Sequence, residues 1–336
     1  MKKTGAIAAV LFFMLTGMGM ADIPSGRLAF TLTPAMEKGA NQVDLWMPYP
    51  MSDEFQTISD MSVTGNYHES AIYRDPASGA VYLHATWTRP KEQPVCVMDF
   101  HIRQKDRRNT RLEDSGRDDW PALVRPYLEA TEFVPANDPE MKKIAEQAVS
   151  GKTGTLEKAR AIYDWVVDNT FRDPNVKGCG LAIPGRTLQQ CQGGGKCADL
   201  SAVFVTLARA AGIPARDVYG LRLSSPKTGD VTSGFHCWAE FYLPGTGWVM
   251  ADPADVRKMM LVHDIELKDA GDWRTFFWGG DDLFRLVLEK DARGVKLNNA
   301  KDPLNYFMYP AARVDGKMRN YFDASGFSYK VGFTRD

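Results

Sequence analysis

Apolar side chains recur at every second position from residue 27 to about 103, and beyond residue 138 the repeat lengthens to that of a helix. A period of two lines one face of a strand and a period of about 3.6 lines one face of a helix, so the chain divides into a strand-built unit and a mixed one. Leu28, Phe30 and Leu32 share a face, as do Val43, Leu45 and Met47, then Val81, Leu83, Ala85 and Trp87, then Cys96, Met98, Phe100 and Ile102. Short alternating strands separated by turn residues predict a β-sandwich over residues 22–115. His68, His84 and His101 are scattered through it without metal-ligand spacing and read as ordinary strand residues.

After a charged linker, Asp138-Pro139-Glu140 marks a helix start, with Asp138 as N-cap and Pro139 in the first turn. Thr155 reads as the cap of a second helix, whose Leu156, Ala159, Ile162, Tyr163 and Val166 form a buried stripe. Residues 198–211 are apolar nearly all round, which predicts a helix buried on most sides and ended by Gly212. Strands follow at 217–223, 235–243 and 248 to about 253, the last two joined by Pro244-Gly245-Thr246-Gly247. A helix followed by antiparallel strands is an α+β core, expected over 116–255, with 256–336 as a β-rich extension of that core.

The N-terminus carries Lys2 and Lys3, an apolar stretch from Ala6 to about Met20, and small residues before Asp22. This predicts a secretory signal peptide, residues 1–21, since the stretch is shorter than the roughly 20 residues of a membrane span. No cysteine stands near the cleavage position to carry a lipid. The expectation is a periplasmic or secreted protein with no membrane insertion after cleavage. Removing that segment lowers the formal net charge of −1 by the two lysines. With no basic excess, nucleic acid and acidic membranes are excluded as partners. No pattern sets the oligomeric state.

Five cysteines are an odd number for an exported chain, so at least one thiol is unpaired within it. Cys179 and Cys191 flank a loop containing proline and glycine and are the expected disulfide pair. Cys96 and Cys237 fall on apolar strand faces and read as buried. Cys197 is different: it follows Gly193-Gly194-Gly195-Lys196 and opens the apolar helix. A helix N-terminus favours a thiolate, and glycines leave the backbone open to a substrate and to an oxyanion. Alone, such a cysteine is better explained by packing. His236 and Asp252, on the two following strands, change that reading: thiol, base and orienting carboxylate are the parts of a nucleophilic triad.

Alternation sends Cys237, Ala239, Phe241 and Leu243 to one face, and His236, Trp238, Glu240 and Tyr242 to the other. Cys237 is thus no partner for its neighbour His236, and the pair lacks the Cys-x-x-Cys spacing of a zinc site, so no metal is expected. If Leu243 paired with Trp248, Asp252 would lie on the wrong face. A hairpin loop with an odd number of residues, or a bulge, places it opposite Trp238 and diagonal to His236. Trp238 is the candidate substrate-facing aromatic, and Gln192, among Gln189, Gln190 and Gln192, the candidate oxyanion glutamine.

Four blocks carry a resemblance: Gly195-Lys196-Cys197-Ala198-Asp199-Leu200; residues 208–216, Ala-Arg-Ala-Ala-Gly-Ile-Pro-Ala-Arg; residues 236–242, His-Cys-Trp-Ala-Glu-Phe-Tyr; and residues 247–253, Gly-Trp-Val-Met-Ala-Asp-Pro. Together they resemble the transglutaminase-like superfamily, in its exported bacterial branch. The resemblance implies a papain-like core with Cys197 on a helix and His236 and Asp252 on adjacent strands. It covers peptidases, amidases, protein cross-linkers and members without a triad. It carries no calcium-loop signature, and no cofactor is expected. The expected function is attack of Cys197 on an amide of a protein or peptide substrate, with hydrolysis of the acyl-enzyme. The alternatives are amine transfer, as in protein-glutamine cross-linking, and a silent binding module of the cell envelope.

Overall fold

The structure is a computed structural model describing residues 25–108, 111–116, 119–223, 228–280 and 284–336. The expected signal peptide lies outside the described residues. The alternating segment forms β1 (Ser25–Pro34), β2 (Gln42–Pro48), β3 (Gln56–Gly65), β4 (Glu69–Arg74), β5 (Val81–Thr88) and β6 (Cys96–Gln104). Alternation predicted the buried faces: Leu28, Phe30 and Leu32 are fully covered while Arg27 and Thr31, on the other face, are exposed. Each such large apolar side chain, once buried, contributes about 1.5–3 kcal/mol, which holds the two inward faces together.

The mixed unit follows, with α1 (Pro139–Ala148), α2 (Gly154–Asn169), β7 (Phe171–Arg172), β8 (Gly194–Gly195), α3 (Cys197–Ala210), β9 (Ala215–Arg222), β10 (Gly229–Asp230), β11 (Phe235–Leu243), β12 (Gly247–Ala251), α4 (Pro253–His263) and α5 (Gly271–Phe276). The chain ends in β13 (Arg285–Lys290), β14 (Arg293–Val295), β15 (Leu304–Tyr306), β16 (Ala311–Val314), β17 (Lys317–Met318) and β18 (Phe327–Arg335). Asp138 caps α1 as expected, accepting from the Glu140 and Met141 amides. The second helix starts earlier than Thr155 suggests. Thr153 is its N-cap residue, and Glu157 reaches back to accept the Thr153 N–H at 3.0 Å, leaving Thr155 buried in the first turn.

The C-terminal region is not simply an extension of the core. Among the described residues of this region, β13 is the strand that joins the core sheet, whose order is β12-β11-β9-β13. β18 lies beside β1 in the sheet β10-β18-β1-β6-β3, and β16 beside β2 in the sheet β17-β16-β2-β5-β4. The two sheets of the sandwich are therefore completed by the last strands of the chain. Pairing partners so distant in sequence leave no trace in local periodicity.

The core sheet packs one face on α3 and the other on the sandwich. Its far face carries Val218, Trp238, Met250 and Val287. There the Gln56 amide of β3 exchanges two 2.9 Å hydrogen bonds with the Val287 backbone, so a sandwich strand is bonded to β13. Among the described residues no helix is long and apolar enough to cross a membrane.

Candidate active site

The β11–β12 hairpin takes the register that the carboxylate requires. Leu243 pairs with Gly247 and Ala239 with Ala251, around a three-residue loop, Pro244-Gly245-Thr246. Gly245 and Gly247 have φ of +101° and +99°, which a side chain would strain. Continuing that register places Asp252 opposite Trp238 and on the face of His236. The two meet: His236 Nε2 is 2.7 Å from Asp252 Oδ2, with both side chains buried.

Asp252 is also the N-cap of α4, its Oδ1 accepting the Asp255 N–H at 2.9 Å. Oδ2 accepts from Arg285 Nη1 at 2.6 Å, and Arg285 Nη2 reaches Asp255 at 3.2 Å. Asp255 stands 3.4 Å from His236 Nε2 and pairs with Arg222. A histidine, two carboxylates and the Arg285 guanidinium are thus packed together out of water, with the partly exposed Arg222 at their edge. Burial and the Arg222 charge push His236 towards neutrality, but the charges of Asp255 and Asp252 and the Asp252 hydrogen bond outweigh them, so its pKa is raised. His236, Asp252 and Asp255 bring ligand atoms within 4.8 Å of one another. The arginines already neutralise the two carboxylates, which makes this a poor cation site.

Cys197 is the first residue of α3, where the amides of the opening turn lack partners inside the helix. Burial, the largest influence, opposes its ionisation. Hydrogen bonds from Cys179 and Cys237, then the bond and charge of His236, outweigh it and hold the thiol well below its ordinary range. Because Asp252 occupies Nε2, Nδ1 is the ring nitrogen left for the sulfur.

The segment before α3 is tied to its N-terminus. Ala198 N–H donates to Cys179 O at 2.9 Å. The buried Asp199 carboxylate accepts from Leu181, Ala182 and Lys196 amides at 2.8, 3.0 and 3.0 Å. Gly180, at φ +95°, passes so close that a Cβ there would lie 1.8 Å from Asp199 Oδ2.

Two expected assignments are corrected. Cys179 does not bridge Cys191: all five cysteines are free, and Cys179 Sγ turns inward, accepting from Tyr309 OH at 3.1 Å and packing with Cys197 and Cys237. The Ala198 bond to its carbonyl fixes that direction. Trp238 is not a substrate-facing aromatic. It is fully buried under Arg285, whose guanidinium lies 5.2 Å from the ring centroid, because the sandwich covers that face of the sheet. Gln192 lies at the surface with φ +51°. Gln189 is bonded to Glu140. Cys96 and Cys237 are both buried, as the alternation indicated.

Sequence reasoning missed Arg285, Asp255, Arg222 and the inward turn of Cys179. The spacing Asp252-Pro253-Ala254-Asp255 signals a capped helix start, but that Asp255 also turns towards His236 is set by tertiary packing.

A thiol at a helix N-terminus, facing an antiparallel sheet whose strand ends carry histidine and aspartate, defines a papain-like α+β fold. Residues 142–253 match the model of the transglutaminase-like superfamily. An uncharacterised protein of Haemophilus influenzae is 34% identical over 323 residues, spanning 86% of this chain and 85% of its own. The crystal structure of a candidate cysteine protease from Cytophaga hutchinsonii superposes with a TM-score of 0.55 at 16% identity, over 94% of this chain and 99% of that one. The periplasmic domain of TgpA from Pseudomonas aeruginosa gives a TM-score of 0.36 at 16% identity, over 76% and 93%. The chain belongs to the transglutaminase-like superfamily.

Proposed function

We propose that the protein is an exported, cysteine-dependent acyl-transfer enzyme that hydrolyses peptide or side-chain amide bonds. The observation that carries this reading is the junction of Cys197, His236 and Asp252 at the opening of α3, with the thiol acidified and the imidazole made more basic. The Cys197 thiolate attacks the amide carbonyl, and the C–N bond breaks as His236 gives its proton to the leaving amine. Water, deprotonated by the same imidazole, then attacks the thioester and releases the acid and the thiol. Asp252 holds the ring throughout. Since Ala198 N–H is already given to Cys179 O, the Cys197 N–H is the amide we assign to the oxyanion.

Phe171, Leu181 and Ile183, on the two segments beside the α3 N-terminus, are large apolar side chains left exposed. They suit a protein or peptide substrate with apolar residues near the scissile bond. Hydrolysis is favoured over amine transfer because a transferase must bind its amine and shield the thioester from water. The full-length fold neighbour from Cytophaga hutchinsonii is itself described as a candidate cysteine protease. The test is to incubate the purified protein with envelope proteins and a fluorescent primary amine. Cys197-dependent cleavage with little labelling is expected; Cys197-dependent amine incorporation outpacing cleavage would replace hydrolysis by cross-linking. Cell fractionation checks export, expected as recovery outside the cytoplasm of a chain beginning at Asp22.

A further inference from the structure

Three thiols meet in the buried interior beside the site: Cys179 from the segment before α3, Cys197 from α3 itself, and Cys237 from β11. Their sulfur atoms all lie within 4.8 Å of one another. We propose that Cys179, Cys197 and Cys237 form a binding site for one thiophilic divalent cation, of the class to which Zn2+ and Cd2+ belong. A metal–sulfur bond of about 2.3 Å places the sulfurs of a tetrahedral or trigonal site about 3.8–4.0 Å apart, so these need close by less than about 1 Å.

The three side chains are positioned by contacts that need no metal. Cys179 is held by the Ala198 amide and Tyr309 OH, Cys197 by the start of α3, and Cys237 by the pairing of β11 with β9. A preorganised set loses little entropy on binding. The Met308 thioether lies 3.6 Å from Cys237 Sγ, which adds a soft sulfur to the surroundings. Thiolate and thioether donors select soft cations over Mg2+ or Ca2+, and the buried, largely apolar setting suits a cation neutralised by its ligands. Binding exchanges thiol protons for the metal and transfers no electron. The spacing of these cysteines in the chain has no zinc-motif pattern, which is why the sequence pointed away from a metal. The proposal does not rest on the hydrolase reading.

The test is titration of the full, reduced protein with Cd2+, followed through the ultraviolet thiolate-to-cadmium charge-transfer band. One equivalent should saturate it with the intensity of three Cd–S bonds. Cys179→Ser and Cys237→Ser should each remove about a third of the intensity. Since loss of even an outer-shell partner of a metal site costs 10–100-fold, loss of a ligand should weaken binding at least about tenfold. Cys191→Ser should change nothing. Cadmium-edge X-ray absorption on the unmutated complex counts the sulfur neighbours without relying on the variants' folding. A single sulfur neighbour, binding unaltered in both variants, or a disulfide between any two of the three in protein isolated without reductant would each overturn the proposal.

Discussion

Arg285 and Asp252 meet at 2.6 Å with both side chains fully buried, and the Asp252 oxygen that accepts from Arg285 also receives His236. The core sheet thereby supplies three parts of one device: β11 brings the histidine, the end of β12 the carboxylate, and β13 the cation that balances it. Arg285 makes its second bond to Asp255 and lies over Trp238, so the indole serves as a platform for the guanidinium rather than for a substrate.

Arg285→Met should destabilise the protein by about 3–5 kcal/mol, because it leaves two buried carboxylates without their shared cation. Urea unfolding followed by tryptophan fluorescence measures this. A change below about 1 kcal/mol would mean that water or another cation already compensates Asp252 and Asp255.

Asp252→Asn keeps a side chain able to cap α4 while removing the charge that orients and stabilises the imidazolium. Turnover should fall by about 10²–10⁴ with a smaller change in KM. A drop of less than tenfold in kcat on any substrate identified for the protein would remove Asp252 from the catalytic arrangement.

The thiol of Cys197 is lowered and the imidazole of His236 raised, and both shifts favour the pair of thiolate and imidazolium. Alkylation of Cys197 by iodoacetamide should therefore stay fast well below the ordinary thiol range and decline only on the acid side, as the thiolate takes up its proton. In His236→Ala the rate near pH 6 should fall at least about tenfold, the change in thiolate fraction that one pKa unit produces. Equal rates in the two proteins would remove the ion pair.

The sandwich strands, the buried helix α3 and the His236–Asp252 pairing were legible because each is local: a period, a cap or a hairpin register. Leu28, Phe30 and Leu32 declare a strand face within a few residues, and the odd-length loop decides where Asp252 points. What was not legible depends on segments far apart in the chain. Ala312 pairs with Leu45 and Val331 with Phe30, so the chain's end returns to the sandwich and not to the core. Cys179 flanks a loop with Cys191 and invites a bridge, yet its sulfur is directed inward by Ala198 and Tyr309. Trp238 sits on the face of His236 as alternation required, and is buried beneath the Arg107 and Arg285 guanidinium groups.

Gly180→Ala tests the clamp at the α3 N-terminus. The new Cβ would lie 1.8 Å from Asp199 Oδ2, in a backbone region at φ +95° that side chains rarely adopt. Relief requires Asp199 to release the Leu181 and Ala182 amides. A loss of about 2–4 kcal/mol is expected, from strain together with unpaired buried donors, and a lower melting temperature would report it. Unchanged melting would show that the 180–182 turn moves without cost and that Asp199 does not hold it.

Glu289 gives the protein a pH-dependent stability separate from the site. It is buried on β13 at the sandwich boundary, its Oε1 accepting from Val81 N–H at 2.9 Å, and burial pushes its carboxyl up to about 8. Below the ordinary value of 4.5 the group is protonated in both folded and unfolded chains and has no effect. Between 4.5 and about 8 the unfolded chain ionises while the folded one keeps its proton, so stability falls as pH rises, and above about 8 the loss is complete. Glu289→Gln retains the acceptor for Val81 and removes the titration. Its stability relative to the unmutated protein should therefore improve by about 3–5 kcal/mol from the acid to the alkaline end of that window, whatever constant cost the buried amide adds. Denaturant unfolding of both proteins at a series of pH values measures the difference, and parallel curves would show that Glu289 ionises in the folded chain without penalty.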